Sequence, residues 1–291
     1  MSSIVPPSYQ QPVPDGDWNA ALYKQNSSAQ QDWAEQFMSK VAEIVSKKFG
    51  KTTIDVLDVG CGDAKVTAKI VRTKLAGSSI QGIDFSPKMV AYAKENFPDI
   101  KFQEMDAQKL TFRDEFDLIV SFTALHRVMD HTAFIQGANK SLRTNGILAI
   151  TLPMNTPKML DQAAIEVRSQ DKWKKYFEGH ADEEYLSAPF NYGDKEKFST
   201  LLEANGFTSM EVNGILQTQA FPNAKACEDF LLPWYPYLMP LPENLRRSFL
   251  EELVARFRAL EAPVANDEVH FKFNRLEVIA MKTNAIAQTA I

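Results

Sequence analysis

The chain predicts an α/β fold: a mostly parallel sheet of seven strands, an antiparallel last strand and a helical lid. Three observations predict it. Short apolar runs alternate with amphipathic helical patterns along most of the 291 residues. Four of the runs, over 54–57, 79–83, 100–105 and 116–120, give way to polar residues at Asp58, Asp84, Asp106 and Ser121. The first run then turns through Gly60 and Gly62 straight into a helical pattern. Strand, tight turn and helix in that order are the layout of a nucleotide site at the carboxyl end of a parallel strand.

The elements follow in order. Residues 1–16 are rich in Pro, Ser and Gln and read as a disordered tail. Trp18, Leu22 and Tyr23 mark a short helix or lid. Residues 29–48 form an amphipathic helix, with Trp33, Phe37, Val41, Ile44 and Val45 at three- and four-residue spacing. The first strand and a helix over 65–73 come next. Ser86 and Pro87 open another helix, serine at the N-cap and proline at the first helical position. A helix over 130–142 carries Phe134, Ile135 and Ala138 inward, and strand 5 runs over 147–152. Helices follow over 158–168 and 194–204, with an aromatic segment of Trp173, Tyr176, Phe177 and Tyr185 between them. Strand 6 spans 210–220, two helices cover 224–232 and 243–260, and a last strand over 269–281 pairs as an antiparallel edge. The domain plan is therefore a core at 17–152, helical lid insertions at 153–193 and 221–263, and the remaining core sheet at 194–220 and 264–283. The insertions lie where they would shield a small substrate at the carboxyl edge of the sheet.

Composition narrows the function. Hydrophobic residues make 45 % and charged residues 24 %, ordinary for a globular protein. The net charge of −5 and the lack of a dense Lys/Arg tract give no support for a nucleic-acid partner. The two cysteines, Cys61 and Cys227, are expected to be free thiols, because a disulfide at Cys61 would obstruct the glycine turn. No secretory signal and no apolar run of about 18 residues is found, so no membrane and a cytoplasmic location are expected. His180 and His270 have no companions at metal-ligand spacing, so no metal is expected.

The glycines let the backbone approach a ligand or adopt a conformation that a Cβ would strain. Asp84 lies 22 residues past Gly62, placed to hydrogen-bond both hydroxyls of a ribose. A hydride-transferring dinucleotide site would want a glycine at Lys65 and nearby positive charge, yet Asp58 and Asp63 flank the turn. A cationic, phosphate-free ligand suits an acidic turn better.

These motifs resemble those of the class I methyltransferases that use S-adenosylmethionine. Asp58, Gly60 and Gly62 resemble the first motif, the stretch 82–89 the second, and Met105, Asp106 and Ala107 the adenine-reading third. The resemblance implies a Rossmann-like core. It also implies that Gly60 and Gly62 face the methionine part, Asp84 the ribose, Phe85 and Met89 the adenine faces and Asp106 its exocyclic amine. Tyr23, Asp58, Ala107 and Ser121 complete the expected cofactor set. Ala64 stands where the family usually has a third glycine.

The (Asp/Asn)-Pro-Pro-Tyr motif of amino-base and glutamine methyltransferases is absent. Instead Leu125, His126, Arg127 and Val128 resemble the Leu-His/Gln-Trp-Val element of small-carboxylate O-methyltransferases, such as the trans-aconitate, juvenile-hormone-acid and malonyl-carrier enzymes. Arg127 replaces the usual tryptophan. Tyr23 and the stretch 26–32 resemble the cofactor-covering helix of that group, which implies Gln30 near the acceptor. His126 and Arg127 are the expected catalytic residues: His126 as base or hydrogen-bond donor, Arg127 as a clamp for an anion. Trp234 and Tyr235 are further candidates to line the acceptor pocket. The expected function is methylation of a small molecule, most simply at a carboxylate. A phenol, carbon or amine acceptor, and a cofactor-binding protein without transfer activity, remain as alternatives, and the oligomeric state stays open.

Overall fold

This computed structural model describes residues 28–50, 53–178, 193–233, 235–261 and 267–283. The expected tail at 1–16 and the candidates Tyr23, Trp234 and Tyr185 lie outside them.

Helix α1 (Ser28–Phe49) buries Phe37, Met38, Val41 and Val45, the stripe its spacing predicts. Strand β1 (Asp55–Val59) leads through the glycine turn into helix α2. That helix opens as a π-helical stretch (Thr67–Val71) and closes as an α-helical turn (Arg72–Lys74). Strand β2 (Ser79–Asp84) is followed by α3 (Pro87–Asn96), capped by Ser86 with Pro87 in its first turn. Strand β3 (Lys101–Glu104) and β4 (Phe116–Phe122) precede α4 (His131–Ser141), capped by Asp130. Strand β5 (Leu142–Pro153) starts five residues earlier than its apolar run, because its first residues lie beside Phe116 across an irregular register. Helices α5 (Lys158–Arg168), α6 (Asp171–Lys174) and α7 (Lys195–Ala204) follow, then β6 (Phe207–Phe221), α8 (Ala224–Leu231), α9 (Glu243–Leu260) and β7 (Val269–Lys282).

The seven strands form one sheet in the order β3-β2-β1-β4-β5-β7-β6. Strands β1 to β5 pair in parallel, and β7 is antiparallel to both its neighbours. The expected antiparallel last strand is present, but it is not an edge. It fills the slot between β5 and β6, and β6 takes the edge. Two antiparallel ladders, to β5 and to β6, satisfy the backbone of the apolar strand β7 on both sides.

Each face of the sheet buries a core. Helices α1, α2 and α3 cover one face, through Phe37, Val41, Val71, Val90 and Ala93. Helices α4 and α7 cover the other, through Phe134, Ile135, Phe198 and Leu202. A third core joins α5, α6, α8 and α9 to Phe221, Val269 and Phe271. Those three residues stand where β6 ends and β7 begins, so this helical layer grows from the carboxyl edge of the parallel strands. Both cysteines are buried and free. Among the described residues, no helix is long and apolar enough to cross a membrane.

Candidate cofactor and acceptor site

Strand order reverses between β1 and β4, the point at which open α/β sheets bind ligands beyond the carboxyl ends of their strands. The glycine turn caps β1 there. The amides of Gly60 and Cys61 both donate to the Ile83 carbonyl, at 2.8 and 3.0 Å, which locks the turn onto β2. Gly60 has φ +75°, and a Cβ on it would come within 2.3 Å of the Ala124 Cβ. The loop after β4 therefore rests directly on the glycine. Gly62 also takes a left-handed φ, +53°, but faces open space. Ala64 adopts φ 61° and is fully buried. The turn keeps the conformation of the missing third glycine, at a strain on the order of 1 kcal/mol.

Asp84 ends β2 and braces this turn. One carboxylate oxygen accepts from the Gly62 amide at 2.8 Å, the other from the Ser86 amide at 2.9 Å. Each oxygen keeps a lone pair for an outside donor. Phe85 follows with its ring 70 % exposed, an apolar face next to an acid. Met89 lies buried one turn into α3. Asp106 caps a one-turn helix at Ala107–Lys109 by accepting from the Gln108 amide at 2.9 Å. Gln108 in turn accepts from the Asp130 amide, tying this loop to the one after β4. Ala107 packs half-buried against the α4 side of the core.

Asp58 lies beneath the turn, 1 % exposed. One of its oxygens accepts from the Thr67 hydroxyl at 2.6 Å. The other is shut from solvent with no hydrogen-bond partner. Burial pushes its carboxyl up to about 7, with the neighbouring Asp84 adding to the rise and Thr67 opposing it. Asp63 is different. Lys65 lies 2.7 Å from it in a buried ion pair, so Asp58 and Asp84, not Asp63, are the acids of the turn left without a cation among the described residues. A ligand that brings a cation but no phosphate fits this donor set, and S-adenosylmethionine is such a ligand. Ser121, expected against the cofactor, is fully buried, and its hydroxyl donates to the Val59 carbonyl at 2.8 Å. That bond holds β4 to β1.

The expected acceptor residues His126 and Arg127 lie on the turn after β4. Thr123 has φ 51°, an unusual conformation for a β-branched residue, and its amide donates to Thr151 at 2.8 Å. A one-turn helix, Leu125–Arg127, then presents His126 and Arg127. The Nδ1 of His126 is shut from solvent. Burial pushes its pKa down to about 3, with Arg127 and His131 adding to the fall, so the ring is neutral at physiological pH. His131 is the first residue of α4 and is half-buried, although a histidine beside an N-cap aspartate would be expected to be exposed. Its ring stacks obliquely on Phe198 at 4.9 Å, and its Nε2 lies 2.9 Å from the Leu125 carbonyl. It pins the turn that carries His126. Only its place at the helix start was legible in the sequence, because both contacts are made across loops.

Two other acceptor candidates fall differently. Gln30 lies in the first turn of α1, with its side chain outside the described residues. Tyr235 is buried in the helical layer, stacked on Tyr237 at 5.4 Å, because two adjacent aromatic rings there close the third core. At the carboxyl end of β5 the sequence pointed to nothing, yet Arg275 of β7, the partner of Pro153, is buried there to 4 % exposure, over the Trp33 ring.

A family profile described as Methyltransferase domain matches residues 51–222. The trans-aconitate 2-methyltransferase of Acidovorax sp. (strain JS42) is 24 % identical over 270 residues, covering 91 % of this chain and 98 % of its own. That of Klebsiella pneumoniae (strain 342) is 28 % identical over 277 residues, with the same coverages of 91 % and 98 %. Among solved structures, the YcgJ protein of Bacillus subtilis superimposes with a TM-score of 0.55 at 15 % identity, covering 87 % of this chain and 100 % of that one, a likeness of fold. The glycine turn, the acid that braces it and the sheet order thus agree with the profile: the chain belongs to the methyltransferase-domain family and is a class I S-adenosylmethionine-dependent methyltransferase.

Proposed function

We propose that the enzyme methylates a carboxylate oxygen of a small organic acid. The observation that carries this reading is the neutral, half-buried His126, its Nδ1 shut from solvent, at the turn after β4. A carboxylate is already ionised at neutral pH and needs no base, whereas a phenol or amine usually does. A histidine whose pKa is held near 3 is a poor base and a serviceable hydrogen-bond donor. The trans-aconitate names of two relatives support the same acceptor class.

S-adenosylmethionine supplies an activated methyl group when bound; the chain supplies position and exclusion of water. Asp58 balances the cationic end of the cofactor, Asp84 takes the ribose hydroxyls, and Phe85, Met89 and Asp106 frame the adenine. Gly60 and Gly62 leave room for the methionine part. His126 orients the acceptor carboxylate by a neutral hydrogen bond, and Arg127 beside it draws the anion in. The helical layer of α5, α6, α8 and α9 acts as the lid that keeps water from the site.

The pH dependence tests this. With an acid acceptor and saturating S-adenosylmethionine, kcat should stay flat between about pH 6 and pH 9, because neither the acceptor nor His126 titrates there and Asp58 acts on cofactor affinity. His126→Gln, which keeps a donor, should retain most of kcat, and His126→Ala should lose about tenfold or more. A kcat that rises tenfold per pH unit across this range would assign an acceptor that must lose a proton, and would overturn the carboxylate reading.

A further inference from the structure

We propose that Arg275 is a specificity-determining residue that reads a second acidic group on the acceptor, away from the carboxylate that receives the methyl. The proposal rests on the carboxylate reading above and narrows it.

Arg275 stands opposite Pro153, the last residue of β5, at the edge of the sheet where β4 delivers His126. Its side chain lies on the α1 face. Leu276 and Val278 enter the core on the α4 side, and Ile279 enters the core under α1. The guanidinium sits 5.5 Å from the Trp33 ring, and Trp33 meets Phe273 edge-on at 5.4 Å. One helical turn along α1, Phe37 meets Phe122 at the end of β4, 6.4 Å between centroids. Strands β4, β5 and β7 are neighbours, so β7 lies roughly 10 Å from β4 at about 4.8 Å per strand. An extended arginine side chain covers much of that gap.

The guanidinium is incompletely satisfied. Its Nη2 donates to Glu277 on the same strand. Its Nε is shut from solvent and has no hydrogen-bond partner among the described residues. An arginine–glutamate pair buried this deeply is a weak source of stability, since desolvation offsets the attraction. A buried N–H left without a partner adds to that cost. The planar fork matches a carboxylate, and its position near the acceptor turn suits an acid group on the same small molecule. Glu277 offsets the charge of the guanidinium, so recognition comes from directed N–H donation rather than long-range attraction.

The test uses the full-length enzyme, S-adenosylmethionine, and a set of dicarboxylic acids each paired with its half methyl ester. The wild type should favour a diacid over its half ester. Arg275→Lys keeps a charge but loses the fork. It should raise KM for the diacid about tenfold or more, leave KM for the half ester within about twofold, and leave S-adenosylhomocysteine affinity unchanged. Glu277→Gln removes the competing carboxylate and should lower KM for the diacid only. Equal effects on diacid and half ester, or no effect of either variant, would overturn this inference alone. A wild type that turns over monoacids but no diacid would do the same. A wild type that methylates no carboxylate would overturn the carboxylate reading and this inference with it.

Discussion

Burial holds the Asp58 carboxyl near 7, against an ordinary 3.8. The folded chain therefore keeps a proton that the unfolded chain releases, and the ligand-free protein loses stability as pH rises from about 4 to about 7. Asp58→Asn removes that titration. Its stability should gain on the wild type by a few kcal/mol, on the order of 1.4 per pKa unit, between about pH 5 and pH 8. Its affinity for S-adenosylmethionine should fall about tenfold at pH 8 and little at pH 5. Thermal melts and calorimetric titrations at the two pH values measure both, and parallel melting curves would remove Asp58 from this role. Much of this site was legible residue by residue: Asp58, Gly60, Gly62 and Asp84 do converge. What spacing could not show was charge pairing. Lys65 neutralises Asp63, and only contact in space distinguishes one acid of the turn from the other.

At the scale of elements, the glycine turn and the loop after β4 form one unit. Sequence reasoning gave Gly60 to a ligand, but the atom that a Cβ would strike belongs to Ala124. Gly60→Ala should therefore push the His126 turn away, lowering kcat more than tenfold and destabilising the fold by about 1–3 kcal/mol. Adding Ala124→Gly removes the clash but not the left-handed φ, so the double variant should recover part of both losses. Full additivity in that cycle would contradict the coupling. The strands were readable because each carries its own local period and a polar end. The place of β7 was not, since a strand pattern does not state its neighbours. Only the two ladders to β5 and β6 put it inside the sheet. Arg275 was missed for the same reason. On the sequence it is one of three cations of its strand, with Lys272 and Lys282, and its burial follows from that inner slot.

At the scale of the whole molecule, two cores sandwich a sheet and a third rises from its carboxyl edge. The insertions were visible as aromatic, helical stretches. Their shared core was not, because Trp173, Tyr237, Phe249 and Phe271 meet over separations that local periodicity does not record. This layer takes Tyr235 into its packing. The central claim is the chemical nature of the bond made to the acceptor. The most direct measurement transfers an isotopically labelled methyl group from S-adenosylmethionine to a panel of small acids, phenols and amines, then treats the products with mild alkali. The account predicts label that alkali releases as methanol, the behaviour of a methyl ester. Label that survives the treatment would be an ether, an amine or a carbon–methyl bond, and would contradict it.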